Sequence, residues 1–193
     1  MQSGTSLSDP GSASGSSASS AVACETLPLV TVALEKRHRV DEFKCSRSAR
    51  VERFFIDDWP QLNAAKYCKV FVLEDLDDNN GIVGYYTLSA AILEKSAYSN
   101  SDERRAPMGL SAPMVRIGFM GKRDGAPSGV GEMLIADAAN RVSRISDLGI
   151  SGIVLEPEGG LETRLAQFYQ RQGFKKCRKV ASMYALLKDL LAR

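Results

Sequence analysis

Histidine is nearly absent, with one in 193 residues, and the four cysteines (Cys24, Cys45, Cys68, Cys177) stand far apart without a Cys-x-x-Cys pair. One histidine cannot complete a Cys/His zinc site of ordinary spacing. Reduced thiols in a cytoplasmic setting are therefore the expected state. No apolar run approaches the roughly 18 residues of a spanning helix, so no membrane segment is expected. Charge of one sign is also scarce: the net value of +2 does not by itself imply a nucleic-acid partner. Lysine and arginine are missing from residues 1–23, where 16 positions are Ser, Gly or Ala. That stretch has neither the basic start nor the apolar centre of a signal peptide. Such a composition does not offset the entropy of ordering, so residues 1–26 are expected as a flexible tail.

What remains, residues 27–193, is expected to be one domain, since a chain that is 44% apolar and 25% charged can bury a sizeable core. LPLVTVALE reads as a first strand. The segment from Lys36 to Ala65 carries Lys36, Arg37, Arg39, Lys44, Arg47, Arg50 and Arg53 and reads as partly helical, with Val51, Phe54 and Phe55 buried. Its charges form either a solvated helix face or a surface for a polyanion. His38 reads as part of that surface and Trp59 as a packing anchor. KVFVLED and GIVGYYTLSAAIL are β-rich runs joined by an Asn-Gly turn, which makes an antiparallel pair. Residues 94–112 lack any period and read as a loop.

The next stretch organises the rest. Val115, Ile117 and Phe119 mark a strand that enters a loop of Gly and small residues, Gly121 to Gly129. A helical period follows, with Val130, Met133, Leu134, Ala138 and Val142 on one face. The first N–H groups of a helix lack internal partners and sit at the positive end of its dipole. Strand, small-residue loop and helix start thus either hold an anion or make a plain turn into a core helix. GISGIVLEP is a further buried strand and completes a β-α-β unit with parallel strands. In LETRLAQFYQRQGF, Leu161, Leu165 and Phe168 share a face, and Tyr169 lies about 100° round the helix from Phe168. ASMYALLKDL reads as the last strand. The fold class is α+β: a mixed, mostly antiparallel sheet with a central β-α-β unit and flanking helices.

Two motifs in this order resemble the GNAT superfamily of acetyl-CoA-dependent N-acetyltransferases. The first is Ala126-Pro127-Ser128-Gly129-Val130-Gly131, similar to the family's pyrophosphate loop, Gln/Arg-x-x-Gly-x-Gly/Ala. The second is LAQFYQRQGF, similar to Ala-x-x-Phe-Tyr-x-x-x-Gly-Phe. Within the superfamily the chain looks most like the toxins of bacterial toxin–antitoxin pairs, in Phe43 to Ser46, in GIVGYYTLSA and in ALLKDL. The resemblance implies an acetyl-CoA cofactor held by Phe119, Met120, Gly121, Ala126, Ser128, Gly129, Val130 and Gly131, with Tyr169 as general acid. It further implies acetylation of the α-amine of aminoacyl-tRNA, with Arg47, Arg50, Lys175, Lys176 and Arg178 serving the phosphate backbone. An antitoxin protein and a homodimer are the other partners it suggests.

The chemistry has its own logic. A backbone N–H between Phe119 and Gly121 can polarise a thioester carbonyl, and a phenol of pKa about 10 can return a proton to a departing thiolate. Glu156 and Glu158 are candidate bases or solvated loop carboxylates. Two departures from the family pattern bear on the cofactor: Ala126 lacks the long Gln or Arg side chain, and Pro127 removes a backbone donor. Lys122 or Arg123 could restore the charge. Two other functions stay open, a GNAT-fold module of weak catalytic power that binds RNA or a protein partner, and an N-acetyltransferase for a protein or a small amine.

Overall fold

The computed structural model describes residues 31–75, 77–78, 80–105 and 110–192. The expected tail, and the start of the expected first strand, lie outside the described residues. Within them, seven strands form one sheet in the order β1-β2-β3-β4-β5-β7-β6. These are β1 (Val32–Ala33), β2 (Lys69–Glu74), β3 (Ile82–Leu93), β4 (Ala112–Lys122), β5 (Gly152–Leu155), β6 (Lys175–Lys176) and β7 (Met183–Leu186). Only β4 and β5 run parallel; every other neighbouring pair is antiparallel. No helix among the described residues is long and apolar enough to cross a membrane.

Alternation along the central strands sends side chains into two layers. Tyr86, Val115, Ile117, Ile153, Leu155, Met183 and Ala185 face α4 (Val130–Ser143) and α5 (Arg164–Arg171). On the opposite face lie two separate packs. Phe43, Phe54, Phe55, Val70, Val72 and Tyr85 are covered by a helical run made of α1 (Ala49–Arg53), a π-helical turn (Phe54–Asp58) and α2 (Trp59–Ala64). Met114, Val154 and Tyr184 instead meet Tyr98, just ahead of α3 (Asn100–Arg105). Trp59 is half-buried against the first pack, in the anchoring role expected of it.

Buried polar bonds fix α4 on the sheet. The Asp137 carboxylate accepts the hydroxyls of Thr31 and Tyr86, both at 2.5 Å. One turn on, Arg141 donates to Tyr86 Oη at 3.0 Å and to the Thr31 carbonyl at 2.7 Å. Thr31, Tyr86 and Asp137 are out of water, so their polar groups need these partners.

Four expectations fail in the fold. Met133, placed on the buried face of α4, is 43% exposed, and Ile135 and Ala139 are buried instead. The segment 94–112 is not all loop, because residues 100–105 form α3. The ALLKDL run leaves the sheet at Leu186 and turns into α6 (Leu187–Leu190). His38 is 5% exposed and no part of a basic surface: the Glu35 N–H donates to Nδ1 at 2.9 Å, and Nε2 lies 3.0 Å from Glu74 Oε1.

Candidate active site

β4 and β5 pair over only four residues, from Met114 opposite Gly152 to Ile117 opposite Leu155. β4 then runs on to Lys122 while β5 ends, so the sheet opens between them. The opening coincides with a bulge. Leu88 pairs with Ile117 and Tyr86 with Met120, so Gly118 and Phe119 together face Thr87. The extra residue re-aims the strand at this point.

The bulge also decides which backbone donors are available. Thr87 Oγ1 accepts the Phe119 N–H at 2.9 Å, and the Val83 carbonyl accepts the Arg123 N–H at 2.9 Å. Both therefore point at β3. Since N–H groups alternate along a strand, Gly121 shares that direction and Met120 N–H is aimed the other way, into the gap beside β5. Of the three candidate donors, Phe119 is already spent and Met120 is the one that can meet a ligand.

The loop after β4 reaches α4 through two left-handed glycines, Gly125 (φ 75°) and Gly129 (φ 88°), and no side chain caps the helix. A Cβ built at either position would meet nothing within 4 Å, so the approach to the first N–H groups of α4 is open. Gly131 serves packing as well, since a Cβ there would lie 3.1 Å from Phe168 Cζ of α5. Ser128 is exposed and Ala126 half-buried, and Val130 is a core residue whose contribution to a ligand would be its backbone. Lys122 Nζ donates to the carbonyls of Pro127 (3.0 Å) and Ala126 (3.3 Å), while Arg123 is held by Asp75 at 2.5 Å. Unpartnered helix donors, room above the glycines and an ammonium beside them fit the diphosphate of a coenzyme A thioester.

Tyr169 enters differently than the expected stripe implied. Thr163 caps α5, its Oγ1 accepting from Ala166 N at 3.2 Å, so the helix begins at Arg164 and leaves Leu161 in the preceding loop. The buried positions are then Ala166 and Tyr169, while Leu165 is 37% exposed and Phe168 lies between. Tyr169 sits edge-on to Phe168 (5.3 Å) and Phe174 (5.8 Å), and burial pushes its phenol well above the ordinary value. Glu156 and Glu158 are exposed, as solvated loop carboxylates would be.

A second cleft of about 320 Å³ lies across β4 from the α4 side, lined by Ala49, Arg50, Arg53, Phe54, Asp58 and Phe119. Phe54 stacks on Phe119 at 3.8 Å and Arg50 covers the Phe119 ring at 5.4 Å. Gly121 allows α1 to come this close, since a Cβ there would fall 2.4 Å from Val51 Cγ1. The Phe43 to Ser46 segment docks alongside: Asp124 accepts from Ser46 N at 3.0 and 3.2 Å, and Glu52 accepts from Cys45 N at 2.7 Å.

The expected polyanion surface divides in two. Arg47, Arg50 and Arg53 are exposed and take part in no ion pair of the described residues. By contrast Lys175 pairs with the buried Asp102 at 2.8 Å, Lys176 with Glu162 at 2.6 Å, and Arg178 with Glu103. Sequence reasoning picks out these cations but has no means of seeing their partners, 14 to 75 positions away. Arg53 of the cleft counts in the sequence only as part of a charge run, although its spacing of three from Arg50 is a usable signal.

No known protein-family model and no curated protein sequence matches the chain. Solved structures do. A tyrosine-to-phenylalanine variant of KacT superposes with a TM-score of 0.72 and 22% identity, covering 83% of this chain and 95% of that one. AtaT complexed with acetyl-methionyl-tRNAfMet gives 0.70 and 21%, covering 82% and 94%. A tyrosine-to-phenylalanine variant of the AtaT toxin, bound to the C-terminus of the antitoxin AtaR and acetyl-CoA, gives 0.63 and 19%, covering 83% and 94%. KacT and AtaT are GNAT acetyltransferase toxins. The likeness shows the fold, and the GNAT-like architecture expected from the two motifs is the architecture found.

Proposed function

We propose that the chain is an acetyl-CoA-dependent N-acetyltransferase, and that its acceptor is the α-amine of an aminoacyl-tRNA. The observation that carries the reading is the opening of β4 from β5 beyond Ile117, with Met120 N–H aimed into it. A split sheet leaves strand donors unpaired, which a folded protein tolerates where a ligand satisfies them. Acetyl-CoA would supply the activated acyl group. Met120 N–H would hold the charge that develops on the acyl oxygen, and the start of α4 would hold the diphosphate. Tyr169 would give its proton to the leaving sulfur as the C–S bond breaks, and the proton released by the acceptor amine would restore the phenol. The acceptor would approach over Phe119 from the α1 side, where Arg47, Arg50 and Arg53 offer unpaired positive charge to a nucleic-acid backbone. An antitoxin protein, in line with the antitoxin-bound form of AtaT, is a proposed partner, and so is a second copy of the chain.

The test is transfer of labelled acetyl from acetyl-CoA to aminoacyl-tRNA, beside a lysine peptide and a small amine. Label on the tRNA alone is the expected result. Label on the peptide or amine but not on tRNA would overturn the acceptor. A second reading, a module that binds RNA or protein without turnover, draws on the burial of Tyr169, which is 6% exposed. No label on any acceptor, with tRNA still bound, is its signature.

A further inference from the structure

The loop that enters α4 is short of two features that would hold a diphosphate: a long polar side chain at Ala126 and a backbone donor at Pro127. Glu132, in the first turn of α4, adds negative charge to the same end of the helix. Something must outweigh these if an anion is to settle there, and the surrounding charges are mostly committed. Arg123 is held by Asp75, and the Asp124 carboxylate accepts the backbone N–H of Ser46. Lys122 differs. It belongs to no ion pair of the described residues, and its ammonium is drawn onto the loop by the carbonyls of Pro127 and Ala126.

We propose that Lys122 completes the diphosphate cradle of this loop, supplying from the end of β4 the cation that Ala126 lacks. An ammonium has three donors. Two hold the loop carbonyls and the third remains for a phosphate oxygen, so the same side chain shapes the loop and charges it. A cation fixed by two carbonyls has already given up much of its rotamer freedom, which lowers the entropy cost of using it on a ligand. The ligand class is a diphosphate ester of the coenzyme A type. This inference rests on the acetyl-CoA reading given above.

Calorimetric titration of the full chain with CoA tests it, with dephospho-CoA, which keeps the diphosphate and lacks the 3′-phosphate, as the second probe. Lys122→Gln keeps a hydrogen-bond donor but carries no charge, and it should bind both ligands about tenfold more weakly. Lys122→Arg should stay within about twofold of the parent. Adding Ala126→Arg to Lys122→Gln should recover most of the loss, because the charge returns from the other side of the loop. Thermal melting, read in parallel, should leave Lys122→Gln near the parent. Equal CoA affinity of Lys122→Gln and the parent overturns the role of Lys122 and leaves the acetyl-CoA reading standing. Loss with CoA but not with dephospho-CoA overturns the assignment to the diphosphate. Weakening in Lys122→Gln that Ala126→Arg does not restore, together with a lowered melting temperature, assigns Lys122 to loop structure alone and also overturns it. If the parent binds neither ligand, this inference and the acetyl-CoA reading fall together.

Discussion

Tyr169, the proposed proton donor, is set in apolar surroundings. Its ring is packed between Phe168 and Phe174, and burial raises its pKa above the ordinary 10 because the phenolate would lack solvation. The hydroxyl therefore stays protonated across any working pH, while the raised value makes it a weaker acid than an ordinary phenol and moves it further from a thiol's value of about 8.5, so burial by itself opposes proton delivery to the sulfur. Tyr169→Phe keeps the ring and deletes the proton. Turnover should fall by about a hundredfold or more while acetyl-CoA affinity stays within about twofold. Equal loss of both, measured by steady-state kinetics beside calorimetry, would remove the catalytic role. Burial also implies that the pH–rate profile carries no break from Tyr169 below about pH 10. The FY pair of the motif was legible in the sequence. The stripe assigned around it was not, because Thr163 starts the helix three residues later than the apolar spacing suggested and rotates Ala166 and Tyr169 inward.

At the scale of elements, the run of α1, π-turn and α2 is the proposed acceptor side. Arg50 and Arg53 stand on one helical face, exposed and in no ion pair of the described residues, beside the Phe54–Phe119 stack. Reversing charge at both (Arg50→Glu, Arg53→Glu) should cut tRNA affinity at least about tenfold. It should also flatten the salt dependence, by about one unit of logarithmic slope for each phosphate no longer neutralised. A small-amine substrate should be little affected. The same reversal at Lys175, Lys176 and Arg178 should act on stability instead, because it strands Asp102, whose buried carboxylate holds Lys175 and Tyr184 at 2.8 and 2.6 Å. A variant of the second set that melts normally yet loses tRNA would reverse this assignment. These elements also show why part of the fold was legible. The β2–β3 hairpin and the β4-α4-β5 unit announce themselves through alternation, turn residues and a helical period, all local signals. α3 has none: NSDERR has no apolar stripe, and its place is set by Lys175, Arg178 and Tyr184 from the far end of the chain. ALLKDL satisfies strand and helix patterns alike, and the sheet ends before it does.

Across the whole molecule, two classes of buried group set the pH range. Tyr85, Tyr86, Tyr169 and Tyr184 all have raised pKa values, chiefly through burial. Their contribution is complete below the unfolded value near 10 and is lost as pH rises towards the folded values. Asp102 goes the other way: against its own burial, bonds from Lys175 and Tyr184 hold the carboxyl below its ordinary range. Its contribution is present above the unfolded value of about 4 and is lost as pH falls through the folded one. Stability measured by urea unfolding should thus be nearly flat from about pH 5 to 9 and decline on both sides. A maximum near pH 10.5 or above would contradict the tyrosine part, since the phenols begin to ionise in the unfolded chain at about pH 10. In the proposed reading, acetyl-CoA joins the opening of β4 from β5, the start of α4 and Tyr169 into one site. Calorimetric titration of the full chain with acetyl-CoA tests that most directly. One site of micromolar affinity, about −8 kcal/mol, is the expected result. No heat of binding at millimolar acetyl-CoA would contradict it.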